Sequence, residues 1–298
     1  MPTKLPWAAA LTAVLLLTPA ASAAAATLGQ SSLPSPIRAY RDQAVWSAAP
    51  AGSTTSTLML SQPGGVTALD IHRHRAPVQA TVSRGPSGKP AIVAVGGREL
   101  FLLDPATGAR TLVATGHVAA RSPVLWGDRL AWIEGRDRIY TATIGNKGVR
   151  KVAAPGGGGA LLYELGLLGN QLAISLNDGG TEGDAQVWLQ ELDGSRRHLV
   201  RKVSSGEGDR SYVGLSFDGG ALYFAQVCSG DPSGCPGHGI AYRYRSGRVS
   251  TASVPLDLGG FAQANGASYW VTQNYGACLD EQGEDAPCSV ERTRLRFR

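Results

Sequence analysis

The 298-residue sequence is poor in methionine, with two, and in aromatic residues, at 7%; charged residues make up 17%. After the first two dozen residues no window sustains a 3.6-residue apolar period with caps, which excludes a helical bundle. No G-x-S-x-G elbow is present, and no α/β segment follows that would hold one, which excludes a serine hydrolase of that type. Phosphate-binding and dinucleotide-binding glycine fingerprints are absent too. Cysteine is missing from the first three quarters of the chain; all four fall between Cys228 and Cys288. The formal charge of +5 is spread among acidic residues, and no nucleic-acid motif accompanies it, so no nucleic-acid partner is expected.

The one long apolar run stands at the start. Lys4 precedes Trp7 to Leu17, which is interrupted by Thr12; Pro19 and the small-x-small triplet Ala21-Ser22-Ala23 follow. This is signal-peptide anatomy with cleavage after Ala23. The alternative, an uncleaved anchor, needs about 20 apolar residues, and Pro19 cuts the run short. Residues 1–23 are therefore read as a signal peptide and 24–36 as an Ala/Ser/Pro-rich tether or closing strand. Residues 37–298 form a single domain. With no second apolar span, the mature chain is expected to be secreted or extracytoplasmic, outside the membrane and monomeric. Removing the leader takes away Lys4 and one unit of charge.

What the sequence has in quantity is glycine, 39 residues, and a weak repeat. Each unit has a short apolar strand, a tight turn, a second strand with a bulky anchor, a variable loop, and a third and fourth strand. The first turns read Arg41-Asp42-Gln43, Ser87-Gly88-Lys89, Gly127-Asp128-Arg129, Gly169-Asn170-Gln171, Asp218-Gly219-Gly220 and Asn265-Gly266-Ala267, compositions that tolerate positive φ. The anchors Trp46, Ile92, Trp132, Ile174, Phe224 and Trp270 recur every 40 to 50 residues, the length of a four-stranded blade. Third and fourth strands are legible at 99–103 with 111–113 and at 139–143 with 149–152, joined by turns at 104–108 and 145–148. Six such units predict an all-β, six-bladed β-propeller of four-stranded antiparallel blades, since one blade cannot bury both its faces alone. The expected blades are 37–75, 76–117, 118–159, 160–207, 208–255 and 256–298. A sandwich would not need a pattern that returns six times. The sixth unit shows three strands and no fourth, and residues between Thr27 and Ser32 are the available substitute.

Two stretches carry a resemblance. Leu215-Ser216-Phe217-Asp218-Gly219-Gly220-Ala221-Leu222-Tyr223-Phe224 resembles the S-x-D-G-x-x-L-x-F repeat core of the TolB-type, WD40-like (PD40-like) six-bladed propellers. Leu100 to Arg110, with its Asp104-Pro105-Ala106-Thr107-Gly108 turn, is similar to that family's third-strand turn. The resemblance implies the propeller architecture. It leaves function open, because repeats of that family serve as protein-binding platforms, peptidase lids and enzyme scaffolds.

Chemistry-bearing residues are few. Cys228 with Cys235 and Cys278 with Cys288 are the local pairings, although four cysteines allow three connectivities. A four-cysteine zinc site is the alternative; the wide spacings and the adjoining Pro236 and Pro287 speak against it. Asp178, Glu182 and Asp184, set among glycines, are weak calcium candidates that lack the spacing of a helical-hand loop. No other metal, cofactor or catalytic set is expected. Asp231, His238, Asp280, Glu281, Glu284 and Asp285 complete the candidate binding loops. His72 and His74 share a strand face without a third ligand. Arg292, Arg294, Arg296 and Arg298 alternate with Thr293, Leu295 and Phe297, the period of a strand with one cationic side; edge protection is the preferred reading over an anion-binding stripe.

Second-to-third-strand loops are short in units two and three (96–98 and 135–137). They are longer in unit one (48–57), unit four (177–185) and the two cysteine-bearing units. In a ring these four units form one arc. A non-enzymatic binding platform for a protein or cell-envelope polymer fits a rigid scaffold with varied loops. The alternative is a lyase- or lactonase-type propeller enzyme with a channel-mouth site, calcium-dependent in one version. Cysteine pairing has a direct test: peptide mapping without reduction should yield Cys228–Cys235 and Cys278–Cys288 linkages, and a Cys228–Cys278 link would refute local stapling.

Overall fold

The computed structural model describes residues 25–31, 35–50, 52–105, 107–156, 159–177, 184–204, 209–229, 239–255, 258–272 and 287–298. Six four-stranded antiparallel sheets account for the 24 strands found among the described residues. Blade one comprises β2 (Ile37–Tyr40), β3 (Gln43–Ala48), β4 (Thr55–Gln62) and β5 (Gly65–His74). Blade two has β6 (Ala80–Arg84), β7 (Pro90–Gly96), β8 (Glu99–Leu103) and β9 (Arg110–Thr115). Blade three has β10 (Ala120–Trp126), β11 (Arg129–Glu134), β12 (Arg138–Thr143) and β13 (Asn146–Val152). Blade four has β14 (Leu161–Leu168), β15 (Gln171–Asn177), β16 (Ala185–Glu191) and β17 (His198–Val203). Blade five has β18 (Asp209–Asp218), β19 (Ala221–Ser229), β20 (Gly239–Arg245) and β21 (Arg248–Val254). Blade six runs β22 (Leu258–Ala264), β23 (Ala267–Thr272) and β24 (Cys288–Thr293), and its outer strand is β1 (Ala26–Ser31), from the start of the chain.

The first strands of the blades pack side by side around the axis, β2 on β6 on β10 on β14 on β18 on β22 and back to β2. All six anchors lie on second strands and are buried, from 0 to 5% exposed. They fill the seams between blades: Trp46 packs with Tyr269 and Val290 of blade six, and Trp132 with Val93 and Leu100 of blade two. The seam is so close that residues on first strands lose their side chains. Gly260 of β22 has the Ile37 backbone nitrogen 2.8 Å from where a Cβ would sit, and a Cβ on Gly214 of β18 would strike the Phe261 carbonyl.

Side-chain oxygens stitch neighbouring blades. Ser122 Oγ accepts the Leu165 N–H at 2.9 Å, Ser216 Oγ accepts the Gln263 N–H at 2.9 Å, and Asp218 Oδ2 accepts the Gly266 N–H at 3.0 Å. Ser216 and Asp218, the polar residues of the repeat core, thus hold the next blade in place.

Several boundaries differ from the sequence reading, each for a local reason. The turn of blade three falls at 144–145 because Gly145 supplies the positive φ and Asn146 already pairs with Thr143. The first-blade loop is 49–54, since the β4 ladder begins at Thr55. Cys228 belongs to β19 and Cys288 to β24. The alternating arginine segment is one strand only to Thr293; residues 294–298 leave that ladder and reach blade five.

Closure rests on β1, which pairs antiparallel with β24 from Ala26↔Arg292 to Ser31↔Cys288. Ser31 Oγ also accepts the Ala49 N–H at 3.2 Å, and Leu28 packs into the Trp46 cluster. Deleting 26–31 should expose the β24 edge and this cluster, lowering the melting temperature and promoting aggregation; calorimetry and light scattering that match the parent chain would refute the role of β1 as the closing strand.

Candidate functional site

Antiparallel order places the second-to-third-strand connections and the links between blades on one face, here the upper, and the tight turns on the lower. The axial channel runs between them, and its contents decide where a ligand can sit. Near the middle, Arg38 of β2 and Glu164 of β14 meet at 3.2 Å, with side chains 7% and 12% exposed. Blades one and four stand opposite each other in a ring of six, so this ion pair spans the channel. Glu164 Oε2 also accepts the Gly214 and Leu215 N–H groups of β18, at 2.5 and 3.4 Å. Arg38 donates in addition to the Ile37 carbonyl at 3.2 Å. One carboxylate therefore ties three blades, and it is not free to act as a general base.

Arg121 of β10 is committed in the same way. It donates to the carbonyls of Leu162 at 2.6 Å, Tyr163 at 3.0 Å and Gly135 at 3.1 Å. Burial pulls its pKa down, opposed by the nearby Glu164 and Tyr163, and the guanidinium stays cationic.

Toward the lower mouth, alternate blades contribute aromatic rings: Tyr40, Trp126 and Phe217. Tyr40 and Trp126 meet edge to face at 5.9 Å, and the Arg41 and Arg84 guanidiniums lie 5.4 and 6.0 Å from the centroids of Tyr40 and Trp126. The void left among Arg38, Thr81, Ser83, Gly166 and these rings is about 40 Å³, room for one or two waters. Below the ion pair the channel is filled by its own side chains.

The upper face is different. A hollow of about 550 Å³ opens over the junction of blades three and four, lined by Gly135 to Arg138 and Gly159 to Leu161. Tyr163 and Val118 stand exposed on this face, and Arg98 and Arg136 are exposed on the short connections of blades two and three. Beside the hollow, the buried Glu134 carboxylate accepts the Trp132 indole N–H at 2.8 Å and the His117 backbone N–H at 3.1 Å, and the His117 ring lies 3.4 Å from its other oxygen. A Cβ at Gly116 would strike that carboxylate. Glu134 thereby pins the link between blades two and three.

Among the residues singled out from sequence, Asp184 is described. It pairs with Lys202 of β17, and the hydrogen bond from that ammonium holds its pKa below the ordinary carboxylate range. Cys288 is 3% exposed, and no free thiol occurs among the described residues. Cys228 pairs with Arg210 in the ladder. Ala23, Asp178, Glu182, Asp231, Cys235, His238, Cys278, Asp280, Glu281, Glu284 and Asp285 lie outside the described residues. His72 and His74 are exposed on β5; His72 bonds Thr57 at 2.9 Å and Asp70 at 3.1 Å, and His74 bonds Thr54 at 3.3 Å. No group of three metal-ligating side chains occurs among the described residues. Arg38, Arg121, Glu134 and Glu164 went unnoticed in the sequence; their only local signal is a charge within an otherwise apolar strand.

No family model matches the sequence, and no curated protein matches it. Similarity to solved structures is extensive and confined to the fold. A chain of a mitotic checkpoint complex aligns over 96% of this chain and 100% of its own, at 10% identity and a TM-score of 0.57. The WD40 repeats of RRP9 align over 86% of this chain and 77% of theirs, at 12% identity and 0.53. A chain of the hydrazine synthase of Kuenenia stuttgartiensis covers 90% of this chain and 89% of its own, at 12% identity and 0.52. The chain has a WD40-like propeller fold.

The cross-channel pair can be tested by substitution. Glu164→Gln leaves Arg38 buried without its counter-charge and should cost about 3 kcal/mol. The double change Arg38→Met with Glu164→Gln keeps an acceptor for the Gly214 and Leu215 N–H groups and should lie closer to the parent than Glu164→Gln alone. Urea unfolding that finds Glu164→Gln neutral would show the pair to be dispensable.

Proposed function

We propose that this protein is an exported, monomeric, non-enzymatic binding platform of the TolB-like kind, and that its upper face recognises a partner protein or cell-envelope polymer. The observation that carries this reading is the contrast between a filled channel and an elaborated rim. The channel groups that would do chemistry are consumed in holding blades together, whereas an open hollow and the long connections share the upper side.

Charge refines the partner. The segments 178–184, 205–209, 230–238 and 273–287, which join upper strand ends of blades four to six, contain ten carboxylates and no Lys or Arg. The low rim of blades two and three carries Arg98, Arg121, Arg136 and Arg138 instead. Connections this acidic favour a ligand whose dominant charge is positive, since complementary potentials steer encounter and fix orientation. Cysteine pairing within the two longest segments would reduce the entropy lost on ordering them.

Replacing 178–183 and 280–286 by short Gly/Ser turns, with all cysteines kept, tests the reading. The parent should bind a lysine-rich peptide in a salt-dependent way, and the variant should bind it at least about tenfold more weakly. Unchanged binding by a folded variant would move the function off this arc.

A further inference from the structure

The lower side of the ring has a hollow of its own. It measures about 460 Å³ and lies at the junction of blades three and four, with Arg129, Thr141, Thr143 and Arg150 on one wall and Asn170 and Asp193 on the other. That volume is in the range of small-ligand sites.

The blade-three wall follows from register. Arg129 of β11 stands opposite Thr143 of β12, Ala131 opposite Thr141, and Thr141 opposite Arg150 of β13. Residues opposite one another share a face of the sheet, as do alternate residues of one strand. Ala131 packs in a cluster with Leu165 and Leu172 of blade four. This face therefore looks toward blade four, and the two arginines flank the two threonines on it. The ladder slips between Thr141 and Thr143. Gly148 falls in that bulge and brings no side chain to fill the gap. Thr141 is 3% exposed and its hydroxyl has no hydrogen-bond partner among the described residues, which is uncommon for a buried polar atom.

The fold does not require these cations. Where β11 opens with Arg129, the other second strands open with Gln43, Pro90, Gln171, Ala221 and Ala267. Arg129 and Arg150 are exposed, and among the described residues no hydrogen bond fixes either guanidinium. From the blade-four wall, Asp193 Oδ1 accepts the Ser195 N–H at 2.8 Å. Hydrogen bonds from Ser195, with attraction from Arg150 added, hold the Asp193 pKa below the ordinary carboxylate range. Asn170 donates from its amide nitrogen to Glu191, which leaves its amide oxygen open to a donor.

This set of groups selects a ligand. Paired guanidiniums bind a carboxylate or a phosphate. Asp193 decides between the two: it opposes the second charge of a phosphate dianion, whereas it accepts hydrogen bonds from hydroxyl groups. We propose that the hollow binds a uronic acid residue, its carboxylate held by Arg129 and Arg150 and its hydroxyls by Thr143, Asn170 and Asp193. The site lies on the side opposite the acidic connections and stands or falls independently of the function proposed above.

The test is titration calorimetry of the full chain with a galacturonate disaccharide, its methyl ester and inorganic phosphate. The disaccharide should bind, and the ester, which keeps the shape and loses the charge, should bind at least about tenfold more weakly. Phosphate should also bind more weakly than the disaccharide. Arg129→Gln and Arg150→Gln should each weaken disaccharide binding about tenfold and leave the melting temperature unchanged, since both side chains are exposed. Asp193→Asn keeps an acceptor for Ser195; it should weaken disaccharide binding and strengthen phosphate binding. A mere patch of positive charge would instead bind both ligands more tightly in that variant. The proposal is overturned if the disaccharide does not bind, if the ester or phosphate binds equally well, if both arginine variants bind like the parent, or if Asp193→Asn strengthens binding of both ligands.

Discussion

Backbone hydrogen bonds between β1 and β24 are the interaction on which the rest depends. A four-stranded blade has two apolar faces, and it becomes stable only when both are covered. Five blades are built from consecutive strands. The sixth is completed by a strand that precedes the first, so every seam is shared around a closed circuit. Closure is stitched at both faces, by Ser31 to Ala49 above and by Asn265 donating to Asp42 below, at 2.5 Å. Each such bond is worth only about 1 kcal/mol, but together they hold Trp46 and Tyr269 in a seam that would otherwise face water.

Closure also determines what the centre is for. Six first strands packed closely enough to demand Gly214 and Gly260 leave little space between them. That space is taken by Arg38, Glu164 and the ring trio of Tyr40, Trp126 and Phe217. A buried ion pair is expensive to desolvate, and here Glu164 offsets that cost by accepting two N–H groups from a third blade. The channel behaves as core: its charged groups hold first strands together.

The architecture was legible because its signals are local and repeated. Trp46, Ile92, Trp132, Ile174, Phe224 and Trp270 mark second strands, and the Gly/Asp/Asn turns ahead of them mark the inner hairpins. Even the closing strand could be inferred, from the shortage of one strand in the last unit. Long-range polar contacts were not legible. Nothing in Leu-Leu-Tyr-Glu-Leu-Gly announces that Glu164 will meet Arg38 across the axis, because periodicity reports which face a residue occupies and says nothing about its partner. The crossing of 294–298 was hidden for a related reason: Arg/apolar alternation has the same period whether the segment extends its own blade or caps another.

Chain order gives the ring a kinetic asymmetry. The strand that completes the last blade is synthesised before all the others and finds its partner only after blade six exists. Until then the fifth and sixth seams are incomplete and Trp46 lacks its neighbour. The pairing has the largest sequence separation in the molecule, so its loop-closure entropy must be met in one step, and folds dominated by such contacts are slow to form. An arc that has not yet closed presents two uncovered apolar blade faces, the exposure that makes repeat proteins prone to misassembly.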